Sequence, residues 1–299
     1  MCHPEVPLGT IPPPVRTEDV DLKLQTMERM PALLAMPDRT PAPAVLIVND
    51  VMGRSPFYEN LARRLGQAGY IALDPEYFFR EGPVADREAA FARRGRLDQA
   101  RTLRDLESAA AWLRKRDDVS GGVGSIGFCM GGTLALDLAA TGAIDATVCY
   151  YGFPARESDS PRAAPAPLEI APQIQGRVLG FWGDQDTGVG MDNVEALREA
   201  FSKAQITHKF HIYSGLGHGF LRAFLDDEGR AGWELLEKFD DSRARLKRQI
   251  SWRLKDGGLE QDPYRTKVGV GEGTIVAWVL LGTFFGIALL VGAVALLSK

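Results

Sequence analysis

The chain has 299 residues, 35 Lys and Arg against 39 Asp and Glu, a formal net charge of −4 and 45% hydrophobic residues. The near-neutral charge excludes a global pull towards nucleic acid, and the apolar share is enough to bury a proper core. Three cysteines (Cys2, Cys129 and Cys149) exclude a disulfide framework and fit a reducing compartment.

Residues 1–20 hold several prolines and no apolar h-region, so they read as an N-terminal extension and not as a secretory signal. Cys2 and His3 stand side by side there and are taken as part of a loose chain start. Asp21 to Met36 reads as two short opening strands. A Pro-rich turn follows, then the aliphatic run Ala44 to Asn49, the pattern of a strand buried on both faces. Asp50 to Pro56 is a loop, and Phe57 to Ala68 a helix ended by Gly69. Tyr70 to Leu73 is a second buried strand. Tyr77 to Gly95 is charged and gives no clear pattern. Leu97 to Lys115 is a helix with Leu97, Leu103, Leu106, Ala110 and Leu113 on its inner face. Strands follow at Val123 to Phe128, Ala146 to Tyr151, Arg177 to Trp182 and Thr207 to Tyr213. Helices are expected at Thr133 to Ala140, Met191 to Ala204 and, long and amphipathic, Glu228 to Leu254. Phe153 to Gln175 reads as a long surface loop. Strands alternating with helices imply a mostly parallel, twisted sheet covered on both faces.

One turn organises the rest. Gly127-Phe128-Cys129-Met130-Gly131-Gly132 lies between a strand and a helix, with a cysteine at its apex. This G-x-C-x-G-G pattern is the cysteine form of a nucleophile elbow. The helix N-terminus behind Cys129 favours a thiolate. Gly122, Gly124 and Gly127 also match G-x-G-x-x-G, but that triplet enters a strand where a dinucleotide fingerprint would leave one.

A thiolate nucleophile needs a base, and the base an orienting acid. His208 and His211 fall in the last strand and point to opposite faces, which is poor geometry for a shared metal; one is expected solvated and one packed at the surface. His218 sits in Gly215-Leu216-Gly217-His218-Gly219, a loop just past the last strand, where functional groups of open α/β sheets gather. The acid is expected from Gly183-Asp184-Gln185-Asp186, with Asp186 as the choice and Asp184 the alternative. The order Cys, Asp, His is that of α/β-hydrolases. The oxyanion hole is expected to use the N–H groups of Met130 and Val51.

These motifs, with the Val48-Asn49-Asp50-Val51-Met52-Gly53 loop, make the chain resemble the dienelactone hydrolase family, the cysteine branch of the α/β-hydrolases, over roughly Pro31 to Leu254. The resemblance implies acyl transfer on a small ester or lactone with no cofactor and no metal. It implies a carboxylate that contacts the resting cysteine; Asp50 occupies that place, one methylene shorter than the usual glutamate. It also implies two arginines for a substrate carboxylate. Arg222, four residues after His218, matches one, and spacing points to Arg87 for the other.

Beyond this unit, expected over 21–254, residues 255–273 are Gly-rich and read as a linker. Thr274 to Leu297 carries no charge, and about 24 helical residues reach roughly 36 Å, enough to cross a bilayer. Basic residues precede the span and only Lys299 follows it, which places the large N-terminal part on the cytoplasmic side of a cell membrane in a single-pass arrangement. Gly282 and Gly286 form a G-x-x-x-G face able to meet a membrane-protein partner. Two roles therefore stay open: a membrane-tethered hydrolase, or a hydrolase-fold accessory subunit of a larger membrane complex with weak or no activity.

Overall fold

The structure, a computed structural model, describes residues 12–155 and 164–221. Eight strands form one sheet in the order β1-β2-β4-β3-β5-β6-β7-β8, where β1 is Arg16–Lys23, β2 Arg29–Met36, β3 Ala42–Val48, β4 Ile71–Pro75, β5 Val119–Phe128, β6 Ala146–Tyr150, β7 Arg177–Gly183 and β8 His208–Tyr213. β1 pairs antiparallel with β2, and β2 with β4; every other pairing is parallel. The helices are α1 (Pro56–Gln67), α2 (Arg87–Arg96), α3 (Gln99–Arg114), α4 (Met130–Ala140), α5 (Pro167–Ile170) and α6 (Met191–Lys203).

The inner strands are buried on both faces because helices cover both: Val45, Leu46, Ile47 and Val48 of β3 are all 0% exposed. β1 and β2 form the antiparallel edge, and β1 alternates between exposed and covered positions as a one-sided strand does. β1 begins at Arg16, five residues ahead of the expected opening strand.

The other departures from the sequence reading are local. The stretch without a clear pattern contains α2, capped by the Asp86 carboxylate, which accepts the Ala89 N–H at 2.8 Å. The expected surface loop after Phe153 contains α5 and a short 3-10 turn at Ala171–Gln173. Gly122, Gly124 and Gly127 all lie inside β5, as their strand-entering position required. His208 and His211 do face opposite ways; one packs at the surface as expected, but the other is buried and not solvated. His208 is half-buried, its Nδ1 2.7 Å from the Ile206 carbonyl, while His211 is 1% exposed and stacked on Phe181 at 5.2 Å.

The helix over 228–254, the linker, the span at 274–297 with Gly282 and Gly286, and the Cys2-His3 pair lie outside the described residues. Among the described residues no helix is long and apolar enough to cross a membrane.

Candidate active site

Parallel pairing fixes where the candidate residues meet. Val48 is opposite Gly127, Phe128 opposite Tyr150, Tyr150 opposite Phe181 and Gly183 opposite Tyr213. The exits of β3, β5, β7 and β8 therefore share one rim of the sheet, and these exits carry Asp50, Cys129, Asp186 and His218. Aromatic rings reinforce the alignment: Phe128 stacks on Tyr150 at 5.1 Å and Tyr150 on Phe181 at 4.6 Å.

Cys129 sits at the apex between β5 and α4 with φ 56° and ψ −123°, a conformation unusual for any residue with a side chain. Its N–H donates to the Tyr150 carbonyl at 3.0 Å, and its carbonyl accepts the Thr133 N–H at 3.2 Å, so the surroundings enforce the turn. Cys129 is 6% exposed. Cys149 is fully buried in β6, and burial first, then the Asp137 charge, push its thiol up to about 12. Cys149 is thus held as a neutral thiol.

The glycines of the elbow have a specific reason. A side chain on Gly131 would overlap the Val48 and Asn49 carbonyl oxygens, and one on Gly132 would meet the Tyr150 carbonyl at 2.8 Å. The first turn of α4 therefore rests on the backbone leaving β3. Gly131→Ala is expected to destabilise the protein by about 3 kcal/mol or more, because the obstructing atoms are backbone. Gly95→Ala, inside α2 with nothing within 4 Å of the added methyl, is expected to be neutral or stabilising by about 0.5 kcal/mol. Thermal melts of the two variants check the contrast.

The β3 exit is tied by a series of hydrogen bonds. The Asp50 N–H donates to the Tyr58 hydroxyl at 3.1 Å, Met52 N–H to Asp50 Oδ1 at 2.8 Å, Gly53 N–H to the Asp50 carbonyl at 2.9 Å, and Arg54 N–H to Glu76 Oε2 at 3.0 Å. Among the described residues the Val51 N–H alone, of those at 50–54, has no acceptor. Met130, the first residue of α4, likewise has an N–H that no turn of helix can satisfy. Gly131 packs the first turn of α4 against the Val48 and Asn49 carbonyls, so the two segments that carry these donors are in backbone contact. Such a pair can hold a developing oxyanion.

Asp50 and Asn49 are both fully buried. Burial first, then charge on Asp50, Glu76 and Cys129, push the Tyr77 phenol well up, and its hydroxyl donates to the Asn49 carbonyl at 2.6 Å. Asn49 in turn donates to Asp74 Oδ1 at 3.1 Å. Burial raises Asp74 to about 8, against a weaker lowering by the Asn49 bond. A carboxyl raised on folding binds its proton more tightly in the folded chain. Its contribution to stability is therefore full below the ordinary carboxylate range and is lost as pH climbs towards 8. Asp74→Asn is expected to remove roughly 2 kcal/mol of the stability loss between pH 5 and pH 8. Denaturant midpoints of parent and variant at both pH values measure it.

The Asp-His pair is assembled. His218 Nδ1 lies 2.7 Å from Asp186 Oδ2, and the Asp186 side chain is 0% exposed. Asp186 Oδ1 accepts the Val189 N–H at 3.1 Å, so both carboxylate oxygens are engaged. The two loops are tied together by the Gln185 N–H to the Leu216 carbonyl at 2.9 Å and the Gly215 N–H to Asp184 Oδ1 at 2.7 Å. Asp184 thus shapes the turn and Asp186 faces the imidazole. The His218 ring packs on Tyr151 and Phe153, and its Nε2 is buried with no hydrogen-bond partner among the described residues. That nitrogen is the one able to take up a proton. Among the described residues no cluster of His, Cys, Asp or Glu fits a metal ion.

Beside this rim lies an open cleft of about 450 Å³ lined by Met130, Thr133 and Leu134 of α4, Phe153, the 187–190 turn, Asn193, Gln99 and Arg94. Among the described residues Arg94 is the only charged one in the lining. Arg87 is exposed at the start of α2, its guanidinium 5.5 Å over the Phe91 ring, and Arg222 lies outside the described residues. Arg94 was not legible in advance, because it is two turns further along the same helix and spacing alone does not choose between them.

A model of the dienelactone hydrolase family matches residues 30–235. The chain belongs to that family. It is 31% identical over 229 residues, 76% of this chain and 88% of the relative, to a carboxymethylenebutenolidase of Rhodococcus opacus. It is 28% identical over 208 residues, 66% of this chain and 84% of the relative, to a putative carboxymethylenebutenolidase of Synechocystis. Among solved structures, a putative dienelactone hydrolase from Klebsiella pneumoniae matches with a TM-score of 0.66 and 29% identity over 74% of this chain and 96% of that one. The protein is a carboxymethylenebutenolidase-like hydrolase with the α/β-hydrolase fold.

Proposed function

We propose that this dienelactone hydrolase family member cleaves a small ester or lactone through Cys129, His218 and Asp186. The observation that carries the reading is the 2.7 Å Asp186–His218 contact at the same rim as the Cys129 elbow. His218 Nε2 takes the thiol proton as Cys129 sulfur attacks the carbonyl carbon. The Val51 and Met130 N–H groups receive the oxyanion. Collapse expels the alkoxide, which takes its proton from His218, and leaves a thioester on Cys129. His218 then activates a water that hydrolyses the thioester and restores the thiol. Asp50 is assigned to the resting cysteine, the place the family gives a carboxylate. Arg94 suits the cleft to substrates with a carboxylate, the role that the family resemblance gives to Arg222 and Arg87.

The charge-free stretch at 274–297 supports a second element of the proposal: the hydrolase is tethered to a cell membrane with its folded part on the cytoplasmic side, and Gly282 and Gly286 are available to a membrane partner. Mass spectrometry of the full-length chain in mild detergent, quenched during turnover of an aryl acetate, tests the chemistry. An acetyl group on the Cys129 peptide is expected. Turnover with the label elsewhere or nowhere would reject Cys129 as nucleophile.

A further inference from the structure

Arg93 is the buried charge of α2, on the same covered side as Ala90. It is 2% exposed, while Arg87, Glu88 and Arg96 of the same α2 face solvent. A buried guanidinium carries a large desolvation cost unless its donors are used. Two of its donors go to backbone carbonyls, Nη1 to Gly82 at 2.8 Å and Nη2 to Val51 at 2.9 Å, while its Nε is buried with no hydrogen-bond partner among the described residues. Its flat face lies 3.9 Å over the Phe78 ring; burial pushes its guanidinium below the ordinary arginine value, with charge on Glu76 acting the other way. Gly53 leaves the room for this arrangement, since a side chain there would stand 2.9 Å from Glu76 and 3.1 Å from Arg93.

The carbonyl so clamped belongs to the residue whose N–H is the one without an acceptor at the β3 exit. We propose that Arg93 is a positioning residue of the oxyanion loop: by holding the Val51 carbonyl, it fixes the plane in which the Val51 N–H faces the carbonyl under attack at Cys129. The inference rests on the ester-hydrolase reading. The loop's other ties, from Tyr58, Asp50 and Glu76, hold Asp50, Met52, Gly53 and Arg54, while the Arg93 bond is the tie on Val51 itself. Without that bond the Val51 peptide gains freedom, and the loss falls on the transition state, where the negative charge forms.

The test compares Arg93→Met, Arg93→Lys and Cys129→Ala in the full-length chain on an aryl acetate, with alkylation of Cys129 by iodoacetamide measured alongside. Alkylation builds no oxyanion, so it reports on the thiol and not on the loop. Arg93→Met is expected to lower kcat by about 30-fold, below the 10²–10³ typical of losing an oxyanion donor outright, with KM within about threefold. Its alkylation rate is expected to stay within about twofold of the parent. Arg93→Lys, which keeps a cationic donor but not the fork, is expected to recover part of kcat and keeps the test open should Arg93→Met fold poorly. A kcat within threefold of the parent in both variants, or alkylation falling in step with hydrolysis, overturns the role given to Arg93. Loss of hydrolysis in Cys129→Ala with full activity in Arg93→Met would sink this inference alone. Full hydrolysis in Cys129→Ala would sink the ester-hydrolase reading itself.

Discussion

Cys129→Ala is expected to take aryl acetate hydrolysis down by at least about 10³-fold, to the level that binding and the oxyanion donors sustain without a nucleophile. The size of the effect follows from the turn. At φ 56° and ψ −123° the chain holds a side chain above the sheet rim at a backbone position that costs of order 1–3 kcal/mol to maintain. Alanine keeps the Cβ and the same strained backbone, so the fold is expected to change little while the sulfur is lost. Cys149→Ala makes the matched control. Burial keeps the Cys149 thiol neutral at physiological pH, and it sits within β6 opposite Gly127, with its sulfur beside the Gly152 backbone. Its removal is expected to lower stability by about 1 kcal/mol and to leave the kcat of folded protein within twofold. Steady-state rates for both variants, normalised to the folded fraction, provide the measurement. Equal loss in the two would mean that the sulfur of Cys129 does no chemistry of its own.

The features legible in the sequence are those written in local pattern. The aliphatic run of β3 announces a strand buried on both faces, and Gly127, Gly131 and Gly132 announce a turn that only small residues can make. The positions of Cys129, Asp186 and His218 each follow a strand, and parallel strands send those exits to one rim; of the three, Asp186 and His218 are in contact. Four features were not legible, and each depends on contacts distant in sequence. Helix α2 hides behind its charges, since a helix of this kind has too little apolar face to stand out from a solvated loop. The burial of Arg93 depends on two carbonyls and a ring, Gly82, Val51 and Phe78, and none of them marks the arginine in sequence. The choice between Arg87 and Arg94 depends on where α2 lies against α4. His211 is buried because Phe181 and Tyr213 stack on it, a pairing that follows from the β7–β8 register and not from the spacing of histidines.

Asp186→Asn is expected to lower kcat by about 10³–10⁴-fold, and the hydrogen bonds at Asp186 give the reason. The Val189 N–H donates to Oδ1 at 3.1 Å and has to find an oxygen there. An asparagine satisfies it by turning its carbonyl towards Val189, which leaves its NH2 facing His218 Nδ1. Both would then be donors unless the imidazole carries its proton on Nε2. That tautomer has no lone pair on the nitrogen that must accept the thiol proton, so the base is lost while the fold and the Asp186–His218 contact are kept. The matching change at Asp184 separates charge from geometry. Asp184 is half-buried and accepts the Gly215 N–H at 2.7 Å, a bond an asparagine oxygen also makes. Asp184→Asn is therefore expected to stay within about twofold of the parent in kcat, since the substitution keeps the size of the side chain and its bond to the turn. Parallel kinetics on the two variants decide which carboxylate orients the imidazole. A large loss at position 184 with none at 186 would transfer that role to the turn residue.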